Sequence, residues 1–71
     1  MITAHVERYD TTKGQPHLVR ESDYTAKTWS EVRHWLDRLS TQYDVIGDLS
    51  SGLIVCRDES QRLVIAFSGP K

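Results

Sequence analysis

TWSEVRHWLDRLSTQY, residues 28–43, is the stretch of this 71-residue chain with a clear helical period, and it carries both tryptophans. Trp29, Val32, Leu36, Leu39 and Tyr43 recur at steps of three, four, three and four. At about 100° per residue they fall on one stripe, which Trp35 widens to an arc of roughly 120°. Ser30, Arg33, His34, Asp37, Arg38 and Thr41 point elsewhere, so the segment predicts an amphipathic helix that needs one apolar partner surface. Its start is marked by a capping box. The Thr28 hydroxyl can accept the Glu31 amide while the Glu31 carboxylate reaches back to the Thr28 amide. No glycine closes its far end, and the stop is placed near Thr41 because the following residues read as β.

Strand signals surround that helix. Ile2, Ala4 and Val6 alternate with Thr3, His5 and Glu7, which predicts a half-buried strand over residues 2–9. Residues 10–16, DTTKGQP, are turn chemistry, with Gly14 free to take a positive φ and Pro16 unable to donate to a ladder. Residues 17–24, HLVRESDY, predict a second antiparallel strand, with a long connection as the competing reading. After the helix come YDVIGDL, a Ser-Ser-Gly turn at 50–52, LIVCR at 53–57, the polar DESQ, and RLVIAF at 62–67, ended by Gly69 and Pro70. Two β-rich runs joined by four polar residues are a hairpin. The order β-β-α-β-β-β predicts one small α+β domain over residues 1–71, an antiparallel sheet packed against one amphipathic helix.

Size and charge exclude several function classes. A chain this short buries only about 60% of the surface its unfolded form exposes. A single core below about 70–80 residues supplies roughly 3–5 kcal/mol and is commonly reinforced. One cysteine, Cys56, excludes an intramolecular disulfide and a multi-cysteine zinc site. Self-association is the remaining stabiliser, so a homodimer is expected. Nine Lys and Arg against ten Asp and Glu give a net charge of −1, without the basic excess typical of nucleic-acid domains. No apolar run is long enough to cross a membrane and no signal-peptide block opens the chain, so a cytoplasmic protein is expected.

The two hydrophobic strands of the C-terminal hairpin carry apolar residues at both parities. One face is expected to hold Leu53, Val55, Leu63, Ile65 and Phe67, the other Ile54, Cys56, Val64 and Ala66. A sheet covered by one helix is normally wetter on its far side. Three occupants compete for the second face: the N-terminal segment folded over it, a second copy of the chain, or another protein. Trp35, at the border of the helical arc with an indole N–H that needs a partner, completes the expected contact set of Trp35, Ile54, Val64 and Ala66.

Catalytic chemistry finds no foothold. Cys56 lies inside a strand and reads as a buried apolar thiol, not a nucleophile with a lowered pKa. His5, His17 and His34 show no metal-ligand spacing, although His5 and His17 could face each other across the first hairpin. Asp58 and Glu59 sit in a turn, Asp44 and Asp48 bracket a strand, and the glycines are scattered singly. The reading is a non-catalytic interaction or regulatory module with no cofactor and no metal, probing a partner through an apolar sheet face or edge. The alternative is a nucleic-acid-binding hairpin using Arg8, Tyr9, Lys13, Arg20 and Lys27 by stacking and phosphate contact. Against it, Glu7, Asp10, Glu21 and Asp23 match the four cationic side chains of residues 1–27 one for one.

Overall fold

Thr28 starts the helix as its sequence predicts. In a computed structural model that describes residues 1–69, its hydroxyl accepts the Glu31 amide at 3.3 Å. The reciprocal arm differs: Glu31 Oε2 accepts the Lys27 amide at 2.9 Å, one residue earlier than a strict capping box. Helix α1 spans Trp29–Leu39. In place of a glycine stop, Ser40 Oγ and Thr41 Oγ1 donate to the carbonyls of Asp37 and Arg38, both at 2.7 Å. These hydroxyls satisfy acceptors that the end of a helix leaves open.

Among the described residues five strands flank it: β1 (Ile2–Asp10), β2 (His17–Ala26), β3 (Asp44–Asp48), β4 (Leu53–Arg57) and β5 (Gln61–Ser68), with a 3-10 turn at Leu49–Ser51. The second strand is real and two residues longer than expected. The strands form one antiparallel sheet in the order β2-β1-β5-β4-β3, so the fold is the predicted α+β arrangement. Pro70, expected to help end the last strand, lies outside the described residues. Among the described residues no helix is long and apolar enough to cross a membrane.

Aspartates organise the tight turns. Asp10 Oδ1 accepts from the amide and hydroxyl of Thr12, Asp48 Oδ1 from the Ser51 amide and Ser50 hydroxyl, and Asp58 Oδ1 from the amides of Ser60 and Gln61. These bonds favour the ionised carboxylate and hold all three below the ordinary Asp range. Their contribution to stability is present above the unfolded value of 3.8 and is lost as pH falls through the lowered folded values.

The chain leaves the β2 edge, runs through α1 across one face of the sheet, and re-enters at the opposite edge as β3. Beneath the helix lies the core: Ile2, Ala4, Ala26, Val32, Ile54, Cys56, Leu63 and Ile65. It forms two clusters, bridged by Trp35, Leu36, Leu49 and Phe67, which pack against both. Trp29 belongs to the second cluster, its ring 6.2 Å from that of Phe67 at a 59° tilt.

The register corrects the expected division of faces. Ile54 pairs with Ile65, Cys56 with Leu63, Val55 with Val64 and Leu53 with Ala66. Directly opposed residues share a face, and the connection between Arg57 and Arg62 holds an even number of residues. Odd positions of β4 therefore stand beside even positions of β5. Ile54 and Cys56 lie under the helix, while Leu53 and Val55 join Val64 and Ala66 on the far side. Ile54, expected at a partner surface, is a core residue with 1% exposure.

Gly47 in the edge strand leaves no room for a side chain. It holds φ +102° opposite Ile54, and a Cβ there would stand 2.8 Å from the Leu53 carbonyl oxygen. Gly47→Ala is expected to lower stability by about 1–3 kcal/mol, because both the backbone angle and the contact penalise a side chain. A urea unfolding midpoint equal to that of the native sequence contradicts this.

Candidate interaction surface

Among the described residues no element covers the face of the sheet away from α1. The N-terminal segment does not fold over it; β1 pairs with β5 and β2 extends the sheet beyond β1. The apolar residues of β3, β4 and β5 on this face form a block two rows deep. Ile46, Val55 and Val64 make one cross-strand row, and Leu53 and Ala66 lie in the next. Ile46 and Leu53 are 43% and 46% exposed, Ala66 is exposed, and Val55 and Val64 are half-buried between their neighbours. Of the four expected contact residues, the structure places Val64 and Ala66 here. Trp35 lies on the opposite side of the sheet, half-buried against both core clusters, so it is no free anchor for this surface.

Charged pairs border the block, and they are paired like with like. On one side Arg57 stands opposite Arg62, with Asp44 next to Arg57. On the other, Glu7 stands opposite Glu21, continuing the Val55–Val64 row. Like charges directly across a ladder are unfavourable by a few tenths to about 1 kcal/mol. Within this face, among the described residues, His5 is the group that relieves the acidic side. It donates from Nδ1 to Asp23 Oδ1 at 2.6 Å, while its Nε2 lies 3.9 Å from Glu21 Oε1. The Asp23 hydrogen bond, reinforced by the charges of Asp23, Glu21 and Glu7, raises the His5 pKa above its ordinary 6.5 against a smaller opposing effect of desolvation.

No family model, curated protein or solved structure matches this chain. Its surfaces must therefore be read from their own chemistry.

His5, Glu7 and Glu21 hold donor atoms within 4.8 Å of one another, close enough for all three to meet one divalent cation. The sequence reading missed this group because no two of its histidines share a ligand spacing. The signal was present in another form: two acidic or imidazole residues at alternate positions on each arm of one hairpin. His17, expected near His5, instead pairs with Asp10, and Asp23 takes the place opposite His5.

The raised His5 pKa makes a signed prediction. A group whose folded value exceeds its unfolded one stabilises fully below the unfolded value and loses that contribution as pH rises through the folded value. Stability is thus expected to decline as pH climbs from 6.5 through that raised value, and His5→Gln is expected to remove the decline. Urea midpoints across this window provide the check; an equal pH slope in the variant contradicts it.

The five residues of the nucleic-acid reading are not brought together. Arg8 and Arg20 face each other on the helix side of the sheet, whereas Tyr9 belongs to the opposite face beside Arg62. Lys13 sits in the turn between β1 and β2, and Lys27 follows the end of β2. Cys56 is fully buried, and burial pushes its thiol pKa up, away from the thiolate a nucleophile requires.

Proposed function

We propose that this chain is a non-catalytic protein-interaction module that functions as a homodimer, two copies stacking their helix-free sheet faces. The carrying observation is the block Ile46, Leu53, Val55, Val64 and Ala66, apolar in composition, covered by no element among the described residues and bordered by an arginine pair on one side and a glutamate pair on the other.

The charge pattern favours a second copy over an unrelated partner. Strands lie about 4.8 Å apart and same-face residues about 6.7 Å apart along each strand, which fixes the layout of this face. Place a two-fold axis between two stacked sheets, running diagonally across the face. The Arg57–Arg62 pair of each copy then lies over the Glu7–Glu21 pair of the other, and the apolar block falls back on itself within a few ångströms. Self-complementarity of this kind is what an isologous interface requires. Sheets stacked in this way sit about 10 Å apart with interdigitating side chains. Dimerisation would also reinforce a small core, which among the described residues has eight buried apolar side chains.

Sedimentation equilibrium over a micromolar to millimolar concentration series tests the proposal. The expected result is a reversible monomer–dimer equilibrium that weakens with added salt, because the charged borders lie at the exposed rim. A single monomeric species over the whole range overturns it.

A further inference from the structure

The helix leaves part of its own side of the sheet open as well, and the chemistry there differs. Between α1 and the β1–β2 hairpin runs a groove of about 440 Å³. Val6 and Ile65 form its floor, Trp35 and Tyr24 stand on its walls, and Arg8 and Arg38 approach from β1 and the helix. No Asp or Glu lines it. Among the described residues, neither arginine takes part in an ion pair. Arg8 also stands directly opposite Arg20, a cross-strand pairing that costs the fold stability and gains it nothing. A local rule broken without structural compensation marks a place shaped by something other than folding.

We propose that this groove binds a small organic monoanion, a carboxylate carried on an apolar body of about eight to ten carbon atoms. The apolar body lies along Val6 and Ile65 between the aromatic faces of Trp35 and Tyr24. Its carboxylate meets Arg8 and Arg38, whose planar, permanently charged groups suit carboxylate oxygens. Charge complementarity selects this occupant. A neutral apolar ligand leaves the guanidinium pair unanswered, and a cation is repelled by it. The site lies on the side of the sheet opposite the proposed dimer face, so each can fail independently of the other.

Octanoate and 1-octanol, titrated into the 15N-labelled protein at low salt, provide the test. Octanoate is expected to shift the amides of Val6 and Tyr24 and the Trp35 indole N–H, and to bind about tenfold more tightly than 1-octanol. Arg8→Gln combined with Arg38→Gln is expected to abolish that preference, whereas Lys13→Gln with Arg33→Gln, outside the groove, leaves it intact. Both arginines of the groove are exposed, so the double variant is expected to fold; the octanoate-to-octanol ratio in the native sequence stands as a test without it. Equal affinity for the acid and the alcohol overturns the proposal, as does an unchanged preference in the Arg8/Arg38 variant. So does a shift pattern centred on Val55 and Val64, or no shift up to millimolar octanoate.

Discussion

Ile54→Asp is expected to leave no cooperatively folded protein. Ile54 is 1% exposed, stands opposite Ile65 in the ladder, and packs in the cluster beneath the helix with Ala4, Cys56 and Leu63. Truncating such a side chain to alanine costs about 2–5 kcal/mol. A single core of this size supplies roughly 3–5 kcal/mol in total. An aspartate adds the penalty of burying a charge in an apolar cluster. Circular dichroism and tryptophan fluorescence report the outcome, since Trp29 and Trp35 both pack against the core. A variant that unfolds cooperatively near the native urea midpoint contradicts the placement of Ile54 under α1.

The same substitution at Val64 is expected to do something else. Val64→Asp lies ten positions further along the chain, on the opposite face, between Val55 and Glu7 in its row. In the monomer it meets solvent and the fold survives. In the proposed dimer it would place a carboxylate in the centre of an apolar contact, close to its own symmetry mate. Burying such a charge costs about 2–4 kcal/mol even after relaxation, which weakens association by roughly 100-fold or more. Sedimentation separates the two effects: native-like circular dichroism with a monomeric mass is the expected result. Loss of the fold in Val64→Asp, or an unaltered association constant, contradicts the assignment of Val64 to the interface.

The contrast between these two residues also shows where a sequence reading succeeds and where it stops. Local signals carried the elements well. The Thr28 cap, the Asp-rich turns and the left-handed Gly52 at φ +77° follow from residues within a few positions of one another. Alternation within each strand was equally legible, since Ile54 with Cys56 and Val64 with Ala66 do share faces strand by strand. What failed was the joint between strands. Face assignment across a hairpin depends on the parity of its loop, and a shift of one residue exchanges every side chain. The polar DESQ segment held that information, because an even connection between Arg57 and Arg62 sets Ile54 beside Ile65. The His5, Glu7, Glu21 and Asp23 group was hidden for a related reason. Its members meet only in the register that the first hairpin adopts, and a bulge between Arg8 and Tyr9 shifts that register toward the turn. Trp35, at the edge of the helical arc, is half-buried as that position implies; what its place in the arc could not show is that the helix covers the face opposite Val64 and Ala66.

An isotope-filtered NOE experiment on a mixed dimer, one copy 13C-labelled and the other unlabelled, tests most directly whether the helix-free face joins two chains. Contacts between copies are predicted among the methyl groups of Ile46, Leu53, Val55 and Val64, with none to Val32 or Ile54. Intermolecular contacts confined to the helix side or to the β2 edge, or a protein that yields no intermolecular signal at millimolar concentration, contradict the account.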